Sequence, residues 1–298
     1  TGRLDMSGLY SSQTSLSLGS ALNITGTLAA NSFSSWSGWQ GTLDLTSGTL
    51  ESTGGEINLN DFTTGPNTTL KLSGDTEISS YNVITLGTLE LSGNKLTLKE
   101  GSSGLTLPNP LEMTNNGSEI ESNSANLTLS SALQLDSGAI TSTGGTLSFE
   151  GGVTLGAQGK LDVTGSTLRT ADVLELSSGT FTSNNSSFLD LQATIILSTN
   201  NQADFSNINF NGYELTLGSA LTHLRLCYDA DSFVKWEGSS FYTGDGSLTF
   251  ICPLRIPGSI LESTGGAITL ERGGYVPEES RLALHDTTLE LQGEPLRV

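Results

Sequence analysis

The chain has 298 residues, with 36 glycines, 7 prolines, 35% hydrophobic and 14% charged residues, and a formal net charge of −19. That balance excludes a nucleic-acid binder, because phosphate backbones need a positive face. The dilute charge and frequent branched apolar residues exclude a disordered segment, and no run approaches the roughly 18 apolar residues of a membrane helix. The opening "TGRLDMSGLY" lacks the features of a signal peptide, so any export signal is expected to have been removed or never present.

Taken in chain order, an apolar residue opens a recurring motif at Leu9, Leu28, Leu50, Ile78, Leu98, Ile120, Ile140, Leu161, Phe181, Phe205, Phe241, Leu261 and Leu282. Most steps between openings are 19 to 24 residues, a period of about 21. The motif is near-verbatim in "LESTGGEINLN" from Leu50, "ITSTGGTLSFE" from Ile140 and "LESTGGAITLE" from Leu261. Seven residues after most openings stands a second apolar residue, and two further on often a third. Leu127 and Leu129 show the pattern, as do Ile268 and Leu270. Later in each period comes another pair two apart, such as Leu133 and Leu135 or Leu174 and Leu176. A spacing of two is strand alternation, and the Gly-Gly, Ser-Asn and Asp-Gly pairs between strands are turn residues.

Short strands at a fixed period bury their apolar faces by stacking turn on turn. The predicted fold is all-β, a parallel β-helix (β-solenoid) with three short strands per coil of about 21 residues and about 13 coils. It is predicted as one domain over residues 1–298, a rod roughly 60 Å long at the usual strand spacing of ~4.8 Å. Leu50, Ile120, Ile140, Leu161, Phe181 and Leu261 are expected to form one inward wall; Ile57, Leu127, Leu147, Leu168, Phe188 and Ile268 are expected to form a second. Two steps depart from the period. The long step from Leu50 to Ile78 predicts an inserted loop, "DFTTGPNTTL", and the longer one from Phe205 to Phe241 predicts an irregular insertion around residues 223–245.

That second segment concentrates chemistry that the other coils lack. Arg225, Tyr228, Asp229, Asp231, Lys235, Trp236 and Tyr242 form the candidate ligand-binding set, with His223 beside them. Function in solenoids tends to sit on insertions at one face, although a tolerated insertion without a ligand has the same appearance. Asp229 and Asp231 are weak candidates for calcium, since hard cations want clustered oxygens; the EF-hand glycine and glutamate are missing, and two acids in a turn are usually just solvated. Cys227 and Cys252 are expected at different corners and so as free thiols, with a disulfide as the alternative. Trp36 and Trp39 fit either a cover over the core or a sugar-stacking platform. No catalytic set and no resident cofactor is predicted.

The stretches "GTLDLTSGTLESTGG" and "GAITSTGGTLSFEGGVTLGAQGKLDVTG" resemble the β-helical shafts of bacterial surface exoproteins, the filamentous-haemagglutinin-like adhesins and autotransporter passengers. The resemblance implies an exported, cell-surface protein whose shaft serves adhesion, aggregation or as a stalk. Its partners would be surface molecules or glycans of a host or neighbouring cell. The expected function is therefore a non-catalytic structural or adhesive solenoid. The rival is a carbohydrate-binding or polysaccharide-degrading β-helix that uses the 223–245 segment. No helix or other cap is predicted over the first or last coil, which predicts pairing with further solenoid, including head-to-tail self-association.

Overall fold

A computed structural model describes residues 49–298 apart from 53, 60, 61, 112, 114, 116, 201, 219–221, 227–239, 244, 245, 252, 257, 293, 294 and 298, and before residue 49 the backbone of four short strands. The described chain is all-β and forms a parallel β-solenoid, with about ten turns of about 21 residues rather than thirteen. Nor does every turn hold three separate strands. Leu133–Thr143 and Val153–Asp162 run on through a corner and serve two walls each. The chain folds as two units, Thr1–Ser148 and Phe149–Val298.

Between Thr49 and Leu107 the turns visit three walls in the same order. On the first wall, Thr49–Ser52 pairs in parallel with Thr27–Ala30 and Thr69–Leu72, which aligns positions Leu28, Leu50 and Leu70. The second wall aligns Ile57 with Ile78 and Leu98, and Leu96 with Ile120 and Ile140. On the third, Val83–Thr85, Gly104–Leu107 and Asn126–Leu129 align Ile84, Leu105 and Leu127. Burial alternates along the strands, as in Asn126–Leu129, where Leu127 and Leu129 point in and Thr128 points out. Hydroxyls stack at the corners: the oxygens of Ser52 and Thr76 are 2.7 Å apart, and the Ser122 hydroxyl donates to Ser142 at 3.0 Å. Gly138 turns a corner inside Leu133–Thr143 at φ 84°, and a Cβ there would lie 2.4 Å from the Ser118 carbonyl oxygen, so only glycine fits without strain.

In the unit Phe149–Val298 the same grammar holds. The first wall aligns Ile195, Leu215, Phe241, Leu261 and Leu282. The second carries two inward rows. Ala203, Leu224, Leu248, Ile268 and Leu289 make one, and Phe205, Leu226, Phe250, Leu270 and Leu291 make the other. The third aligns Leu168, Leu189 and Ile208. Aromatic rings join walls and turns: Phe210 and Phe241 lie 6.1 Å apart between centroids, and Phe181 and Phe205 lie 6.3 Å apart, both tilted pairs within the favoured range.

The inward series anticipated from spacing mixes walls. Leu50 and Leu261 lie on first walls, whereas Ile120, Ile140, Leu161 and Phe181 lie on second walls. Ile57 and Ile268 share the second wall, and Leu127, Leu147 and Leu168 belong to the third. All of these are at most 3% exposed. Phe188 is the exception: it is half-buried and aligns with Thr167 and Asn207, while Leu189 takes the inward place.

The first of the irregular steps has the same origin, whereas most of the 223–245 segment lies outside the described residues. The step from Leu50 to Ile78 is one full turn plus the offset between Leu50, on a first wall, and Ile57, on the second. "DFTTGPNTTL" is therefore no insertion: Phe62–Thr63 pairs with Leu43–Asp44, and Thr69–Leu72 begins within it and pairs with Thr49–Ser52. Phe205 stands on a second wall and Phe241 on a first, and Leu226, one period after Phe205, aligns directly with it.

Candidate functional site

Of the candidate ligand-binding set, the described residues include Arg225 and Tyr242; Tyr228, Asp229, Asp231, Lys235 and Trp236 lie outside them, as do Cys227, Cys252, Trp36 and Trp39. Arg225 sits on His223–Leu226, a regular second-wall strand whose leucines are buried and whose histidine and arginine are half-exposed. Tyr242 faces outward on the first wall, between Thr216 and Glu262. The structure therefore puts these two side chains on different walls.

Around Arg225 the register builds a polar surface. Asp204, Arg225 and Thr249 occupy one outward row, and Gln202, His223 and Ser247 the next. The Arg225 guanidinium stands 3.9 Å from the Asp204 carboxylate, and His223 Nε2 lies 3.4 Å from the Thr249 hydroxyl. Burial, reinforced by the positive charge of Arg225 and opposed by Asp204, holds the His223 imidazole below its ordinary pKa. A neutral imidazole beside a guanidinium and a carboxylate offers both hydrogen-bond donors and acceptors, the equipment for holding a polyol or a peptide backbone.

Two polar arrangements have no counterpart in the single-residue motifs of the sequence. On the third wall of the unit Phe149–Val298, Asp190 is only 5% exposed yet accepts four hydrogen bonds. Arg169 Nε donates at 2.8 Å and Gln192 at 3.0 Å to one carboxylate oxygen; Asn209 and Asn211 each donate at 2.9 Å to the other. On the second wall of the unit Thr1–Ser148, two lysines bind stacked glutamates. Lys95 reaches Glu121 at 2.7 Å and Glu119 at 3.3 Å; Lys99 reaches Glu56 at 2.9 Å and Glu77 at 3.4 Å. The Glu121 hydrogen bond leads the effects that raise the Lys95 pKa, and the Glu56 hydrogen bond leads those that raise Lys99. The signal for both clusters was present in the sequence as polar residues one or two turns apart at outward positions. It is read only once the outward rows of adjacent turns are aligned.

Among the described residues no group of three or more histidine, cysteine or acidic side chains is arranged to hold a metal ion, and no helix is long and apolar enough to cross a membrane. No family model matches the chain, and no curated protein and no solved structure matches it either.

Proposed function

We propose that this chain is part of an exported, cell-surface β-solenoid that acts as a structural shaft and adhesive surface without catalysis. The observation that supports the reading is the closure of polar groups between adjacent turns. Lys95 and Lys99 neutralise stacked glutamates, and Asp190 is saturated by four donors, so ionisable groups join turn to turn. The residues so used hold the stack together, as expected of a scaffold whose outer rows meet partners by repetition. Host-surface molecules or glycans are the proposed partners. Head-to-tail association belongs to the same proposal.

The rival reading, a polysaccharide-degrading β-helix, draws on the neutral His223 beside Arg225 and Asp204. Incubation with a panel of acidic and neutral polysaccharides, with calcium present, separates the two. Adhesion of the chain, immobilised on beads, to cells with no change in polysaccharide length supports the shaft. Chain cleavage lost in His223→Ala or Arg225→Ala, with the fold intact, refutes it. Light scattering across protein concentrations tests self-association, which a constant monomer mass rules out.

A further inference from the structure

Where the second wall of the unit Thr1–Ser148 gives way to the third, three successive turns leave a shallow groove of about 260 Å³. Glu56, Ser79, Tyr81, Lys99, Glu100 and Ser102 line it. Its frame is fixed by hydrogen bonds between turns. The Ser80 amide donates to the Ser102 hydroxyl at 3.3 Å, and the Ser103 amide donates to the Ser80 carbonyl at 2.9 Å. Gly101 adopts φ +83° at the tip of the turn, with open space beside it.

Three features point to a ligand. Tyr81 is 80% exposed, the most exposed of the large apolar side chains described, and a solvated aromatic ring at a groove offers a stacking surface. Ser79 is half-buried, and among the described residues its Oγ is shielded from solvent and has no hydrogen-bond partner, a condition that buried hydroxyls rarely keep. Charged partners stand at the rim, where Lys99 Nζ is held 2.9 Å from Glu56. The volume is just under the ~300 Å³ at which pockets for drug-sized molecules begin, so the space suits one ring rather than an extended chain. Three carboxylates, Glu56, Glu77 and Glu100, outnumber the single ammonium of Lys99. An anionic ligand would therefore meet a repulsive field.

We propose that this groove is a binding subsite for one neutral hexopyranose unit, with Tyr81 as the stacking platform and the Glu56–Lys99 pair, Glu100 and Ser79 as hydrogen-bonding partners. The sugar's axial C–H face lies against the phenol ring, and its hydroxyls bridge carboxylate and ammonium. Rotation of Ser79 gives its unpaired hydroxyl a partner on the ligand. The inference rests on the adhesive reading for its biological use and on the groove alone for its chemistry.

The test titrates the intact 298-residue chain with the methyl glycosides of glucose, galactose, mannose and N-acetylglucosamine, followed by ligand-observed NMR. Glucuronate and N-acetylneuraminate serve as anionic comparators. At least one neutral glycoside is expected to saturate. Tyr81→Ala should raise its Kd about tenfold, the scale of one lost aromatic contact, whereas Tyr81→Phe should bind as the parent does. The anionic sugars should bind at least tenfold more weakly. Because Tyr81 is exposed, thermal melts of the variants should match the parent. The proposal is overturned if no neutral glycoside saturates, if Tyr81→Ala binds equally well, or if an anionic sugar binds more tightly. Cell adhesion by the same preparations distinguishes the two levels: adhesion without sugar binding removes this site alone, and sugar binding without adhesion removes the shaft reading alone.

Discussion

Replacing Leu189 and Phe188 separately by alanine tests the register of the third wall. Leu189 is fully buried, and its register neighbours Leu168 and Ile208 are fully buried as well. The cavity left by Leu189→Ala is therefore enclosed by the turns on both sides and cannot collapse easily. Within the ~2–5 kcal/mol range for such truncations, a loss of about 3–4 kcal/mol is expected. Phe188 stands one residue away, half-buried, opposite Thr167 and Asn207. Its truncation removes partly solvated surface and should cost about 1 kcal/mol. Urea unfolding followed by far-ultraviolet circular dichroism reads both. With m near ~3 kcal/mol/M, the midpoint should fall by about 1 M for Leu189→Ala and about 0.3 M for Phe188→Ala. A larger shift for Phe188→Ala would refute the register, because a strand displaced by one residue exchanges its inward and outward faces.

Asp190→Ala should cost about 2–3 kcal/mol in the same assay, since it strands the donors of Arg169, Gln192, Asn209 and Asn211; Arg169→Ala, which removes a half-exposed cation, should cost under ~1 kcal/mol. The His223 imidazole is held below its ordinary value of 6.5, so the unfolded chain binds more protons as pH drops through that value. Stability should be full above this window and decline below it, and His223→Gln should flatten the slope in melts between pH 5 and 8. Lys95→Met leaves Glu119 and Glu121 without their shared counter-ion. For a pair about one-third exposed, the melt should report about 0.5 kcal/mol at low salt and little at 1 M salt. Gly138→Ala should cost roughly 1–3 kcal/mol from its positive φ, with more from the contact with the Ser118 carbonyl; equal stability would show that the corner is not held as described.

The solenoid was legible because its signal is repeated: inward pairs such as Leu127 and Leu129 recur at the period of one turn, and errors at one site average out. The phase within a turn was not legible. First, second and third walls all use an apolar pair two residues apart and a corner of small residues. Leu50 opening "LESTGG" on a first wall therefore looks the same as Ile140 opening "ITSTGG" on a second. The two phases differ by a fraction of a turn, and nothing local distinguishes them. Phe188 misled for a related reason: a large aromatic outweighed the adjacent Leu189 in a count of apolar spacing. The polar clusters failed to show because their members are remote in sequence. Asp190 and Asn211 touch across 21 residues, and Lys99 reaches across 43 to Glu56.

The interchangeable corners also bear on how such a chain changes over generations. The stretch "STGG" follows a first-wall strand at residues 52–55 and 263–266 and a second-wall strand at 142–145, so only exchange between copies in the same phase adds or removes whole turns. Gain or loss of one whole period returns every inward row to its place, so the product folds with one turn more or fewer. A single-codon insertion within a strand moves leucines to the outer face and serines into the core, and selection removes it. A change of turn number thus keeps the inward rows that a change of spacing inside a turn would break, which makes copy number the change this architecture tolerates best.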